Sequence, residues 1–132
     1  MSQENVEIVR AGMEAWNRRD FDAVLATLAP EVEWGLSGAV PDVADVYHGH
    51  DGVRAFWEGW TASWEEIQNE PEEYIDLGDS VLVLVHFRAS GRNQIAVDQS
   101  VAFLFTMRDG LVVRFQSYWD RATALEAVGL RT

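Results

Sequence analysis

The sequence predicts an α+β fold in which helices come first, strands follow, and the helices pack on one face of an antiparallel sheet. Three observations carry this. In the first half, apolar residues recur at three- and four-residue steps, the period of a helix with one buried stripe. After Pro71 the rhythm changes to strict alternation, the period of a strand. Gly78-Asp79, the Gly91-Arg92-Asn93 region and Arg108-Asp109-Gly110 separate the alternating runs, as hairpin turns do.

Taken in order, Val6, Val9, Met13 and Trp16 mark a first helix from Glu4 to Trp16. Asn17 to Asp20 breaks it, and Asp20 is placed to cap a second, short helix carrying Phe21, Val24, Leu25 and Leu28, which Pro30 stops. Val32, Trp34 and Leu36 alternate as a short strand, and Gly38 to Gly49, with Pro41, reads as a loop. Asp51 is expected to cap a third helix whose Val53, Phe56, Trp57, Trp60 and Trp64 form a broad aromatic stripe. Four hairpin-linked strands follow, and a last helix begins at Asp120, runs through Leu125 and Val128 and ends at Gly129. The expected order is therefore α-α-β-α-β-β-β-β-α.

Because strand side chains alternate between faces, each long strand can be divided by parity. Val81, Val83, Val85 and Phe87 share one face; Val97, Gln99, Val101, Phe103, Phe105 and Met107 share the next; Leu111, Val113, Phe115, Ser117 and Trp119 share the last. This apolar set is assigned to the helix side. His86, Arg88, Asp98, Ser100, Thr106, Arg114, Gln116 and Tyr118 fall on the outer face, since burying those charges while exposing the phenylalanines would be a costly exchange.

At 132 residues with 48% hydrophobic content, the chain suits one domain over 1–132 with one core. The formal charge of −12 repels phosphate backbones and anionic lipid, so nucleic acid is excluded as a partner. Cysteine is absent, which removes thiol nucleophiles and thiolate metal sites. No apolar run approaches a membrane span and no charged-then-apolar leader opens the chain, so a cytoplasmic protein without membrane association is expected.

Four segments in order, Ala15-Trp16-Asn17-Arg18-Arg19-Asp20-Phe21, Val32-Glu33-Trp34, Tyr47-His48-Gly49-His50-Asp51-Gly52, and Arg108-Asp109-Gly110 through Phe115-Gln116-Ser117-Tyr118-Trp119-Asp120, resemble the SnoaL-like family of the nuclear transport factor 2 superfamily. The resemblance covers nearly the whole chain. It implies a cystatin-like roll: a cone-shaped, curved antiparallel sheet wrapped by the N-terminal helices, with a pocket open at one end and a homodimer formed through the outer sheet face. The superfamily hosts isomerases, epoxide hydrolases, polyketide cyclases, dehydratases and non-catalytic binders, so it does not fix an activity.

Carried over residue by residue, the steroid-isomerase tyrosine and two aspartates of the superfamily fall at Gly12, Phe103 and Leu36. The final-strand aspartate of the epoxide-hydrolase-like and cyclase members falls at Ser117, and the Arg and Asp of an earlier strand fall near Val83 and Val85. None of those functional groups is present.

The expected pocket wall is Met13, Trp16, Trp34, Trp60, Gln99, Phe103, Phe115, Ser117 and Trp119, with Tyr47 and His50 at the mouth. Ser117 and Gln99 either orient a ligand or satisfy buried backbone and water. His48 and His50, with Asp45 and Asp51 nearby, are read as loop and cap residues; no metal and no cofactor is expected. The leading expectation is a protein of unassigned activity binding a small apolar molecule in its central cavity. Two alternatives stand beside it: an enzyme (cyclase, isomerase or hydrolase) working by general acid/base chemistry through His48, His50 or a carboxylate, and a protein-interaction module.

Overall fold

In the computed structural model, which describes residues 2–36, 46–91 and 95–129, the chain runs α1 (Ser2–Asn17), α2 (Phe21–Leu25), β1 (Leu28–Gly35), β2 (Val46–His48), α3 (Gly49–Ala62), β3 (Glu66–Asp76), β4 (Ser80–Ser90), β5 (Ala96–Arg108), β6 (Leu111–Tyr118) and α4 (Arg121–Ala127). Most of the expected Gly38–Gly49 loop, including Pro41 and Asp45, and the Arg92-Asn93 turn lie outside the described residues. Among the described residues no helix is long and apolar enough to cross a membrane.

The sheet corrects the expectation of a cone. It is a mixed, open sheet of six strands in the order β2-β1-β6-β5-β4-β3, with β2 and β3 as separate edges. The reason lies in the connections. Short turns force β3 to β6 into an antiparallel meander, but β1 is joined to β3 through β2 and α3, a crossover long enough to bring it alongside β6 in parallel, Trp34 opposite Phe115.

Local boundaries also differ from the sequence reading. Pro30 does not stop a helix; α2 ends at Leu25, and Pro30 sits inside β1 within the register shift between Leu28 and Glu33, where a missing N–H is tolerated. Pro71 likewise lies inside β3, an edge strand that starts at Glu66 and bulges between Pro71 and Glu73. His48, not Asp51, is the N-cap of α3 and makes no side-chain cap; Asp51 lies in the first turn, where its charge complements the helix dipole. Asp20 and Asp120 do cap α2 and α4, accepting from the Ala23 and Ala122 N–H groups at 3.2 and 3.0 Å.

The end of α1 is tied to the sheet edge. Arg19 adopts φ 65°, the left-handed conformation glycine usually supplies. Its guanidinium donates to the Trp16 and Ile67 carbonyls and lies over the Trp16 ring. Beside it, the Asn17 side chain accepts from the Asn69 N–H at 3.0 Å and donates to the Asn69 carbonyl at 2.7 Å, bonding β3 as a neighbouring strand would.

Helices α1, α2 and α3 cover one face, and the parity expected for β4 is observed: Val81, Val83, Val85 and Phe87 are buried there. In β6 the parity fails at its start. A bulge between Thr106 and Met107 sets Met107 opposite Val112 and Phe105 opposite Phe115, so Val112 is buried in the core while Leu111 and Val113 are only partly covered. The helices are not confined to one face either. Helix α4 lies on the outer face, where Ala124 packs with Leu82 and Ala102 in a second, smaller core.

Beyond α4 the outer face is charged. His86 hydrogen-bonds Asp98, Arg88 pairs with Glu70 at 3.5 Å, and Arg121 pairs with Glu72 while donating to the Val85 and Val101 carbonyls. The Arg121 hydrogen bond outweighs desolvation and holds the Glu72 carboxyl below the usual carboxylate range.

Under α1, the Tyr74 hydroxyl is buried with no hydrogen-bond partner among the described residues, and Arg10 lies 4.5 Å from its ring centroid. Burial raises the Tyr74 pKa, with Arg10 opposing and Glu14 and Glu7 reinforcing. A raised folded-state pKa contributes stability that is complete below the unfolded value of about 10 and is lost as pH rises through the folded one. Tyr74→Phe is therefore expected to match or exceed the parent in neutral urea melts and to lose less stability above about pH 10. Parallel losses in the two proteins would remove Tyr74 from this account.

Candidate functional site

Between the three N-terminal helices and the sheet lies a cavity of about 100 Å³. Helical spacing puts Val9, Gly12, Met13 and Trp16 of α1 on one wall and Phe56, Trp57 and Trp60 of α3 on another; strand parity supplies Trp34, Phe87, Val101, Phe103, Phe105, Phe115 and Ser117 as the floor. Trp119, 41% exposed although it lines the cavity, stands where the floor meets solvent. Its ring meets Phe87 edge-on at 5.8 Å.

The aromatic side chains hold one another. Trp34 stacks on Phe115 with centroids 3.8 Å apart, and the Phe103 and Phe105 rings meet Phe115 edge-on at 5.0 and 5.1 Å. Trp57 meets Trp34 in a T-shaped contact at 5.2 Å. Trp60 lies near-parallel to Phe56 and to Phe87, with centroids 6.0 and 6.2 Å away. Such pairs add to simple area burial, so the wall keeps its shape without an occupant.

Polar groups on this wall are few. The Thr27 hydroxyl donates to the Val24 carbonyl at 2.7 Å. Trp57 Nε1 and Asn69 Oδ1 are fully buried and have no hydrogen-bond partner among the described residues. Ser117 is 9% exposed, lines the cavity, and its hydroxyl bonds to none of the described residues. No Asp, Glu, His, Tyr or Arg is found among the described residues of the lining.

The cavity wall includes Met13, Trp16, Trp34, Trp60, Phe103, Phe115, Ser117 and Trp119. It does not include Gln99, which sits opposite Phe87 near the start of β5, only partly buried. Tyr47 and His50, expected at the mouth, are also absent from it. Tyr47 packs its ring on Phe56 at 4.7 Å, and His50 donates from Nε2 to the Leu28 carbonyl at 2.9 Å, which fixes α3 against β1. His48 is exposed at the α3 N-cap.

Sequence reasoning missed Trp57 and Asn69 as wall residues with unpaired polar atoms. Trp57 reads as plain core on the α3 stripe, and Asn69 lies in an acidic stretch that reads as solvated surface. Its one visible signal was a neutral amide among carboxylates.

Gly12, Leu36, Phe103 and Ser117, the positions onto which the resemblance carries the polar groups of steroid-isomerase-like and cyclase-like members, all line this cavity. Val83 and Val85 are buried on the same side without reaching it. Residues 9–115 match the profile of the SnoaL-like domain. The chain belongs to the SnoaL-like domain family.

Solved structures agree with this placement. An NTF2-like protein of unknown function from Burkholderia pseudomallei shares 29% identity over 96% of this SnoaL-like chain and 98% of its own, with a TM-score of 0.81. TerC, co-crystallised with polyporic acid, shares 23% identity over 95% and 98% of the two chains at a TM-score of 0.80. A ketosteroid isomerase-like protein from Catenulispora acidiphila, in complex with trimethylamine, shares 18% over 94% and 93% at 0.76. No curated protein matches the chain.

Proposed function

We propose that this SnoaL-like domain binds a small, mainly apolar molecule in the cavity between its helices and its sheet. One observation carries the reading: an aromatic wall encloses the space, and no ionisable side chain stands among its described lining residues. Two relatives of the same fold, one with polyporic acid and one with trimethylamine, support a small-molecule role.

In this reading Met13, Trp16, Trp34, Trp60, Phe103 and Phe115 supply apolar contact, Ser117 orients the ligand, and Trp119 guards the entrance. General acid/base catalysis needs a titratable group within hydrogen-bond reach of the substrate, and the wall as described offers none, which favours binding over turnover. The chain acts as one cytoplasmic domain. A homodimer would use the outer face beside α4, near His86, Arg88 and Asp98, and the charge of −12 works against nucleic acid.

Native mass spectrometry of protein purified from its host, followed by thermal melts against a panel of small lipophilic molecules, tests the reading. A ligand present at about one hundred times its Kd stabilises the folded state by about 2.7 kcal/mol, a rise in Tm of about 10 °C for a domain of this size. Protein that retains nothing and melts unchanged with every member of the panel would refute it.

A further inference from the structure

Size, charge and one hydroxyl narrow the ligand of this cavity, on the premise that it binds a small molecule at all. The space measures about 100 Å³, somewhat below the ~150 Å³ apolar cavity that accepts benzene. The enclosed part of the space holds no more than about one aromatic ring. Those walls are stiff, because the rings that form them are packed on one another, Trp34 on Phe115 and Trp60 against Phe56 and Phe87.

Charge is the second restriction. An anion would find no Arg or His on the described wall, and a cation no carboxylate; an unpaired ion taken into such a space loses its hydration without a replacement. Aromatic faces can attract an alkylammonium ion. Here Trp34 and Phe115 each give one face to the other at 3.8 Å, and no carboxylate on the described wall adds to what the remaining faces offer a cation.

The third restriction is Ser117. A hydroxyl both donates and accepts. Ser117 is more than nine-tenths buried, lines the cavity, and bonds to none of the described residues. Its oxygen is not among the buried unpaired atoms of the described residues, so it opens onto the cavity, where a ligand oxygen or nitrogen can meet it. On β6 it stands two residues before Trp119 and on the same face, just inside the entrance.

We infer that the cavity takes an uncharged molecule of about one aromatic ring that carries one hydrogen-bonding group, a hydroxyl or carbonyl, held by Ser117 Oγ. Phenol, toluene, benzoate and tetramethylammonium, titrated by calorimetry into the full chain and into Ser117→Ala, separate the possibilities. Phenol is expected to bind the parent about ten-fold more tightly than toluene. In Ser117→Ala that gap closes while toluene affinity holds. The unliganded variant melts close to the parent, because the hydroxyl it loses bonds to none of the described residues.

Toluene binding the parent as tightly as phenol, or a phenol preference that survives Ser117→Ala, overturns the role of Ser117. Tighter binding of benzoate or tetramethylammonium than of phenol overturns the uncharged class. If none of the four binds, this inference falls, while the small-molecule reading itself is decided by the native mass spectra and the lipophilic panel.

Discussion

Trp57→Ala is expected to cost about 3–5 kcal/mol of folding stability, a large share of the roughly 5–15 kcal/mol that holds a domain together. Trp57 is 1% exposed, and its ring joins α2 and α3 to the sheet through Phe21 at 5.3 Å and Trp34 at 5.2 Å. Truncation removes its apolar area from the core and leaves a void that the stacked rings around it cannot collapse into. Urea denaturation should show the midpoint falling at unchanged slope. Trp57→Phe should lose much less, since it keeps a ring and discards an indole N–H that has no partner among the described residues. Equal losses for the two variants would mean that the ring itself is not what matters at this position.

Phe115→Ala is the second large effect, and it should change binding as well as stability. Phe115 is the ring on which Trp34 stacks and against which Phe103 and Phe105 set their edges, so about 3–5 kcal/mol of stability is again at risk. Because Phe115 also lines the cavity, its truncation widens the space. A two-ring probe such as naphthalene is expected to stabilise the variant in thermal melts and to leave the parent unmoved. The double variant Trp34→Ala/Phe115→Ala should be destabilised by less than the sum of the single changes, since the two rings share one contact. A strictly additive double variant would deny that coupling.

Much of this fold was legible because hydrophobic period is a local property. The stripe through Val9, Met13 and Trp16 and the alternation from Val81 to Phe87 each follow from side-chain direction alone, and both are buried as read. What failed was not local. Nothing in Val32-Glu33-Trp34 says which strand lies beside it, so the parallel pairing with β6 was invisible. The bulge at Thr106 hid for a different reason: Leu111, Val112 and Val113 are all apolar, and a run without polar contrast carries no register. Leu82 and Ala102 sit within apolar runs as well, which concealed the second core under α4.

At the cavity, residue type was more readable than role. Aromatic positions could be placed by parity, whereas the hydrogen bond that draws His50 to the Leu28 carbonyl depends on how α3 meets β1. The acidic residues flanking Asn69 masked a strand whose alternate side chains face inward.

The Asn17 amide and the Arg19 fork that end α1 also bear on how this protein behaves at high concentration. An open sheet has two edges, and an edge with free N–H and C=O groups is a template on which another chain can add a strand. Along β3 the Ile67 carbonyl and both backbone groups of Asn69 are already engaged by these two side chains, and Pro71 has no N–H to offer. The opposite edge, β2, is only three residues long. A helix terminus thus doubles as a guard against fibrous self-association, and the left-handed backbone of Arg19 is the strain the chain accepts to hold that guard in position.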